Sequence, residues 1–364
     1  MAPYLILFAD FAIGAIAVGA RPVGFNRSSL LIPAAVLVIM IGLRREVGGD
    51  WWNYLEIYRY IQLADFARAL GRTEPGYALV NWVGGQLGLG IWFVNVVCGA
   101  IFTWGLIALC RQQPNPWLAL VASLYTIILI GMGYTRQSAA LGFCMLALAQ
   151  FSRRPNLRMM VFLALAPLFH TSSIIMALLI ALASVRQRFW TAAVVAALAA
   201  FLYLQFAGHI GERLDVYTEG RGHVPAGAVP RLLMNAIPAV IFLAFRQRFS
   251  TSPDVTRLLT IFSIVAFASL AIGYMFPASA IIPDRLGFYL NPLQIVVLSR
   301  VPTAFGSGGR SNMFLTAGII AYMFMIEVAW LTLGNRSLAW LPYRNYVWDW
   351  SPADRRPARM ETRE

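Results

Sequence analysis

The chain has 364 residues, 59% of them hydrophobic and 12% charged, with a mean hydropathy of +0.66. A soluble domain carries about 25% charged residues, so this composition excludes a water-soluble globule and indicates an all-α, polytopic membrane protein. The net charge of +13 comes from arginine alone, since lysine is absent, and its scatter over short loops argues against a nucleic-acid partner.

Apolar runs recur from end to end. Their lengths predict spans near 3–19, 29–43, 91–110, 117–131, 137–152, 157–169, 172–185, 189–207, 231–246, 257–276, 285–300 and 312–333, roughly 11–13 transmembrane helices in all. The first run, Tyr4 to Val18, lacks a basic leader and is read as a retained span. Stretch 76–90 is apolar but glycine-rich and meets the next span without a polar break, so it is read as re-entrant or interfacial. Residues 1–338 make one transmembrane domain with outer loops 44–75 and 208–230. Residues 339–364 form a polar tail, arginine-rich and disordered from about Asp349. Cys98, Cys110 and Cys144 lie in apolar runs and read as packing residues. With only three histidines, no His/Cys metal site is expected.

Loop charge sets the orientation. Arg21, Arg27, Arg111, Arg153, Arg154, Arg158, Arg186, Arg188, Arg246, Arg248, Arg257, Arg300 and Arg310 face only Asp254, which marks the cytoplasmic side. On loops 44–75, 132–136, 208–230 and 277–284 acids nearly balance bases, which marks the outer side.

Three spans entering from that outer side begin with an arginine: Arg136, Arg231 and Arg285. Each opposes the positive-inside bias and sets a cation at the positive end of a helix dipole. An anionic ligand resolves both problems, because helix N–H groups plus a guanidinium make a phosphate site; lipid headgroups are the plainer alternative for any one of them. Arg44 and Arg45 stand at the outer end of the second span, followed by Gly48, Gly49, Asp50, Trp51, Trp52, Tyr54, Tyr58 and Tyr60. Rings at this depth either anchor the chain at the interface or offer flat faces to sugars. Residues 51–70 have helical apolar spacing and read as an amphipathic surface helix. His170 falls in a tight turn between two spans, where Thr171 or Ser172 can cap the next helix. Glu74 precedes the re-entrant stretch and either pairs with an arginine or serves as a base. Loop 208–230, with His209, Glu212, Arg213, Asp215 and His223, is long enough for a lid.

Taken together, the motifs resemble the EpsG-like group of Wzy-type bacterial polysaccharide polymerases. Arg44-Arg45-Glu46-Val47-Gly48-Gly49-Asp50 with Tyr54 is similar to that group's R-x-x-G-x-D-x-x-x-Y signature. Glu74-Pro75-Gly76-Tyr77 is similar to its acidic motif, Arg136-Gln137-Ser138-Ala139-Ala140 to its R-Q-x-x-A helix start, and Phe169-His170-Thr171-Ser172 to its F-H-x-S turn. Arg285 with Tyr289, and Leu341-Pro342-Tyr343-Arg344, fit its C-terminal third. The resemblance implies a glycosyltransferase of GT-C-like membrane fold that joins oligosaccharide units carried on undecaprenyl diphosphate at the outer face of the inner membrane. It also implies a polysaccharide co-polymerase and a Wzx-type flippase as partners, with the bilayer as solvent.

On that reading Arg44, Arg45, Arg136, Arg231 and Arg285 are candidates for the diphosphate. His170, Asp50 and Glu74 are candidate bases for the acceptor hydroxyl, and Trp51, Trp52, Tyr54, Gln137 and Tyr289 would steer sugar. Neither a cofactor nor a metal is called for. An O-antigen-ligase-like transferase would use the same donor. A lipid-linked oligosaccharide flippase would instead need mid-span charge and inverted repeats, and mid-span Glu327 comes with no internal repeat. A membrane acyltransferase would want a histidine deeper in the membrane than His170.

Overall fold

The deepest part of the core is built where two helices pack backbone to backbone. The computed structural model describes residues 1–20, 27–151, 157–183, 193, 227–276, 281–307, 310–334 and 336–348. The expected span 189–207, apart from residue 193, lies outside these residues, as do most of loop 208–230 and the tail beyond Trp348. Among the described residues the chain is all helix, broken by two isolated bridges, Arg44 with Asn345 and Ser307 with Arg310. Among the described residues five helices are long and apolar enough to cross a bilayer, and four shorter apolar ones accompany them. The protein is an all-α, multi-pass membrane protein.

The helices are α1 (Ala2–Ala20), α2 (Leu31–Gly42), α3 (Trp51–Leu63), α4 (Phe66–Arg72), α5 (Pro75–Gln86), α6 (Gly90–Cys110), α7 (Pro116–Thr126), α8 (Thr135–Phe151), α9 (Leu157–Leu165), α10 (Ile174–Ala183), α11 (Ala228–Phe245), α12 (Pro253–Met275), α13 (Ile281–Ala304) and α14 (Met313–Leu333). Nearly every residue of α7 and α8 is buried. α8 can sit so deep because a Cβ at Gly105 would fall 2.1 Å from the Gly142 carbonyl oxygen, and one at Gly142 would fall 2.6 Å from that of Ile101. Only glycine lets α6 and α8 approach so closely, the usual device where lipid supplies no hydrophobic push between helices.

Stretch 76–90 resolves into α5 and the turn before α6, where Gly88 and Gly90 hold φ of +64° and +76°. At 12 residues α5 rises about 18 Å, well short of the roughly 30 Å hydrocarbon core, and it packs on α3, α4 and α6. The amphipathic segment 51–70 is two helices. α3 buries Trp51, Tyr54, Leu55, Ile57, Tyr58 and Ile61 on one face. Asp65 then caps α4 by accepting from the Arg68 N–H at 2.9 Å.

Residues 339–348 part company with the tail in which the sequence places them. They form a strap across the end of the bundle. The Trp340 indole donates to the Ile128 carbonyl at 2.9 Å, inside the π-helical turn Ile127–Gly131. The Tyr4 hydroxyl donates to the Trp340 carbonyl at 2.8 Å, and that of Tyr343 to the Met40 carbonyl at 3.0 Å. Backbone bonds from Arg45 N–H to the Arg344 carbonyl (3.0 Å) and from Gly48 N–H to the Ala339 carbonyl (2.8 Å) tie the strap to the loop after α2. The apolar content of Trp340, Tyr343 and Tyr346, all buried, outweighs the local polarity.

Candidate functional site

The strap and the loop after α2 meet at Gly48. Its φ is +108°, and a Cβ there would lie 2.4 Å from the Met132 carbonyl oxygen, so the turn requires glycine. The turn delivers Asp50 to the start of α3. Its side chain makes no capping bond there and no other hydrogen bond among the described residues. Burial raises the pKa of Asp50 above the usual carboxylate value, against the opposing pull of Arg285, Arg136 and Arg336. A carboxylate held among three guanidinium groups with its lone pairs unspent can accept a proton from a bound hydroxyl.

Glu74, by contrast, is committed. It accepts from Arg136 at 2.8 Å and from the Thr73 hydroxyl at 2.9 Å, and Arg136 also donates to Thr73 at 3.1 Å. Burial would raise its pKa, but Arg136 and then His170 pull it below the ordinary value. Arg136 lies 5.9 Å over the Tyr54 ring, which packs on Tyr77.

His170 caps the turn itself. Its Nδ1 accepts the Ser172 backbone N–H at 3.3 Å, and the Ser172 hydroxyl lies 2.9 Å from that nitrogen and 3.3 Å from the Tyr289 hydroxyl. Capping was expected from Thr171 or Ser172. Because Nδ1 accepts, the neutral ring carries its proton on Nε2 and presents a donor there. That arrangement suits orientation of a ligand oxygen better than proton abstraction.

The structure therefore gathers Asp50, Tyr54, Glu74, Arg136, Gln137, His170, Arg285 and Tyr289. Arg285 donates to the Gln137 side-chain oxygen at 3.1 Å and lies 5.3 Å over the Tyr134 ring. Among the described residues it has no carboxylate partner. Arg231 is gripped by Asp284 through two bonds of 2.7 and 2.9 Å. This pair explains how α11 tolerates a cation in its first turn, without any ligand.

Arg44 goes elsewhere. It is 1% exposed and donates to the carbonyls of Ile41 and Val47 and to the Thr135 hydroxyl, the last at 2.7 Å. Burial brings its pKa down to about 10. Trp51 is buried beneath it, 6.0 Å from the guanidinium carbon. Arg44 fastens the loop and Trp51 packs, so neither offers a surface to diphosphate or sugar. Arg45 is also buried and leans on Glu46 at 3.4 Å, while Trp52 is half-buried.

A cavity of about 690 Å³ opens beside this cluster, between α7, α11, α13 and α14. Its body is apolar, lined by Leu129, Leu233, Ile237, Ile326, Ala329 and Leu333. Arg231 and Arg285, in the first turns of α11 and α13, and Arg336, just past the end of α14, line its polar end, and Trp340 is also in its wall. Arg336 escaped the sequence reading because the side of the membrane on which α14 ends was not legible. Asp284 stood in plain view beside Arg285, but only the fold shows that it grips Arg231.

The ordered motifs thus converge in space, and the family comparison agrees with them. The model of the EpsG family matches residues 29–345. The chain belongs to the EpsG family. No curated protein matches it in sequence. Membership gives this EpsG-family protein a polysaccharide-polymerase type of function, and every residue of the gathered cluster falls inside the matched range.

Proposed function

We propose that this EpsG-family protein is a glycosyltransferase of GT-C-like type. It joins oligosaccharide repeat units carried on undecaprenyl diphosphate, at the extracytoplasmic face of the bacterial inner membrane. The observation that carries this reading is the 690 Å³ cavity, which joins an apolar body to a guanidinium-lined mouth beside a carboxylate without a hydrogen-bond partner among the described residues. The body suits a polyprenyl chain and the mouth suits a diphosphate.

In the reaction, the acceptor hydroxyl gives its proton to Asp50, its oxygen bonds to the anomeric carbon, and the bond from that carbon to the phosphate oxygen breaks. The electron pair leaves with the lipid diphosphate, where Arg285 and Arg336 stabilise the developing charge. Arg136, held by Glu74, and the Nε2–H of His170 orient the sugar, with Tyr54 and Tyr289 behind them. Arg231 supports the mouth through Asp284. A co-polymerase and a flippase would supply and regulate the units.

Purified protein given a synthetic polyprenyl-diphosphate oligosaccharide should produce a glycan ladder. Single transfer to a lipid or protein acceptor with no ladder would favour the ligase. Translocation of the substrate without transfer would sink the proposal in favour of a flippase.

A further inference from the structure

α8 and α13 run from this cluster to the other end of the bundle, where a second cavity, of about 210 Å³, lies between the C-terminal parts of α6, α8 and α13 and the start of α12. Its lining is of two kinds: apolar Leu148, Phe151, Leu258, Phe262 and Val296, and polar Arg300, Gln112, Gln113, Ser250, Thr251 and Ser252.

Arg300 is built into place. Its Nε donates to the Gln113 side-chain oxygen at 2.8 Å, and the Gln113 amide is anchored by donating to the Leu109 carbonyl at 2.9 Å. Gln113 is 6% exposed, so the guanidinium has a fixed neutral partner on one edge. Among the described residues no carboxylate meets it. The one acid nearby in sequence, Asp254, is exposed and off the α12 stripe of Ser252, Val255, Leu258, Leu259 and Phe262 that faces the cavity. A half-buried cation next to an apolar slot calls for a ligand that is anionic at one end and hydrocarbon at the other.

We propose that this cavity binds an anionic phospholipid, with the headgroup phosphate on Arg300 and the hydroxyl-bearing turn 250–252 and an acyl chain along α12 and α13. The apolar half argues for a lipid over free phosphate, and basic recesses between membrane helices are where such headgroups bind. The site is separate from the cluster around Asp50, so its test does not depend on polymerase activity.

Native mass spectrometry would compare phosphatidylglycerol with phosphatidylcholine of the same chains on the full-length protein. Wild type should retain one phosphatidylglycerol selectively. Arg300→Gln should weaken that retention roughly tenfold or more, the size expected for a lost charge-assisted bond. Val255→Trp, which fills the apolar half and leaves Arg300 intact, should also expel the lipid, and Arg257→Gln off the stripe should not. Thermal melting would confirm that each variant is folded, and wild-type selectivity is decisive even if one is not. No preference in wild type, unchanged retention in both cavity variants, or displacement by inorganic phosphate alone would overturn the assignment.

Discussion

The two ends of α13 carry an arginine each, and their surroundings differ. At Arg285 the neighbourhood is dense in charge of both signs: Asp50, the Glu74–Arg136 pair and the Arg231–Asp284 pair. Among the described residues the Arg300 side chain has one hydrogen-bond partner, the neutral amide of Gln113. A site that moves a proton and a leaving group needs an acid and a cation in reach of each other, with further ion pairs to hold them. A site that only holds an anion needs a cation with nothing of opposite sign to satisfy it. Charge pairing, more than the presence of arginine, separates the two.

That contrast can be broken first at Asp50. Asp50→Asn keeps the shape and removes the base, so polymerisation should fall by about 10²- to 10⁴-fold while the melting temperature holds. Full activity in a folded Asp50→Asn protein would remove Asp50 from the chemistry. Next comes Arg285→Gln, which should cost about 10²- to 10³-fold in turnover, as for loss of one preorganised donor to a developing charge. Lysine there should restore only part of it, because a point charge cannot fork onto phosphate; equal rates for lysine and glutamine would argue against a charge role.

The Glu74–Arg136 pair should act on stability as well. Glu74→Gln leaves a partly buried guanidinium uncompensated, with an expected loss of up to about 3–5 kcal/mol, read from thermal melts. The pH dependence follows from the lowered pKa of Glu74. A depressed folded-state pKa contributes stability above the unfolded value and loses it as pH falls through the folded one. Wild type should therefore lose stability below about pH 4.3, and Glu74→Gln should lack that component of the decline.

The smallest effect is expected at His170. Removing its cap by alanine should cost about 1 kcal/mol, and asparagine, which also caps, should restore most of the stability. If His170 were the base, asparagine would be as inactive as Asp50→Asn, so a parallel assay ranks the two.

Much of this is legible in the sequence. The membrane class follows from composition, because hydrocarbon admits few charges. Most long helices lie within a few residues of the expected spans, since an apolar run of fixed length has one comfortable state in a bilayer. The grouping of Asp50, Glu74, Arg136, His170 and Arg285 was foreshadowed by their common placement at span ends. The roles within the group were not. Arg44 reads like Arg285 in one dimension, yet one is spent on carbonyls and Thr135 while the other faces a cavity.

What the sequence determined alone is the solvent of this protein and the approximate ends of most of its described helices. These depend on local composition and period, which each segment carries in itself. The tertiary structure decided which charges are paired and which remain available: Glu74 with Arg136 and Asp284 with Arg231, against Arg285 on the cavity wall beside Trp340 and Asp50 without a hydrogen bond among the described residues. Pairing depends on which residues distant in the chain are brought within about 3 Å, and hydrogen bonds weaken steeply beyond that distance.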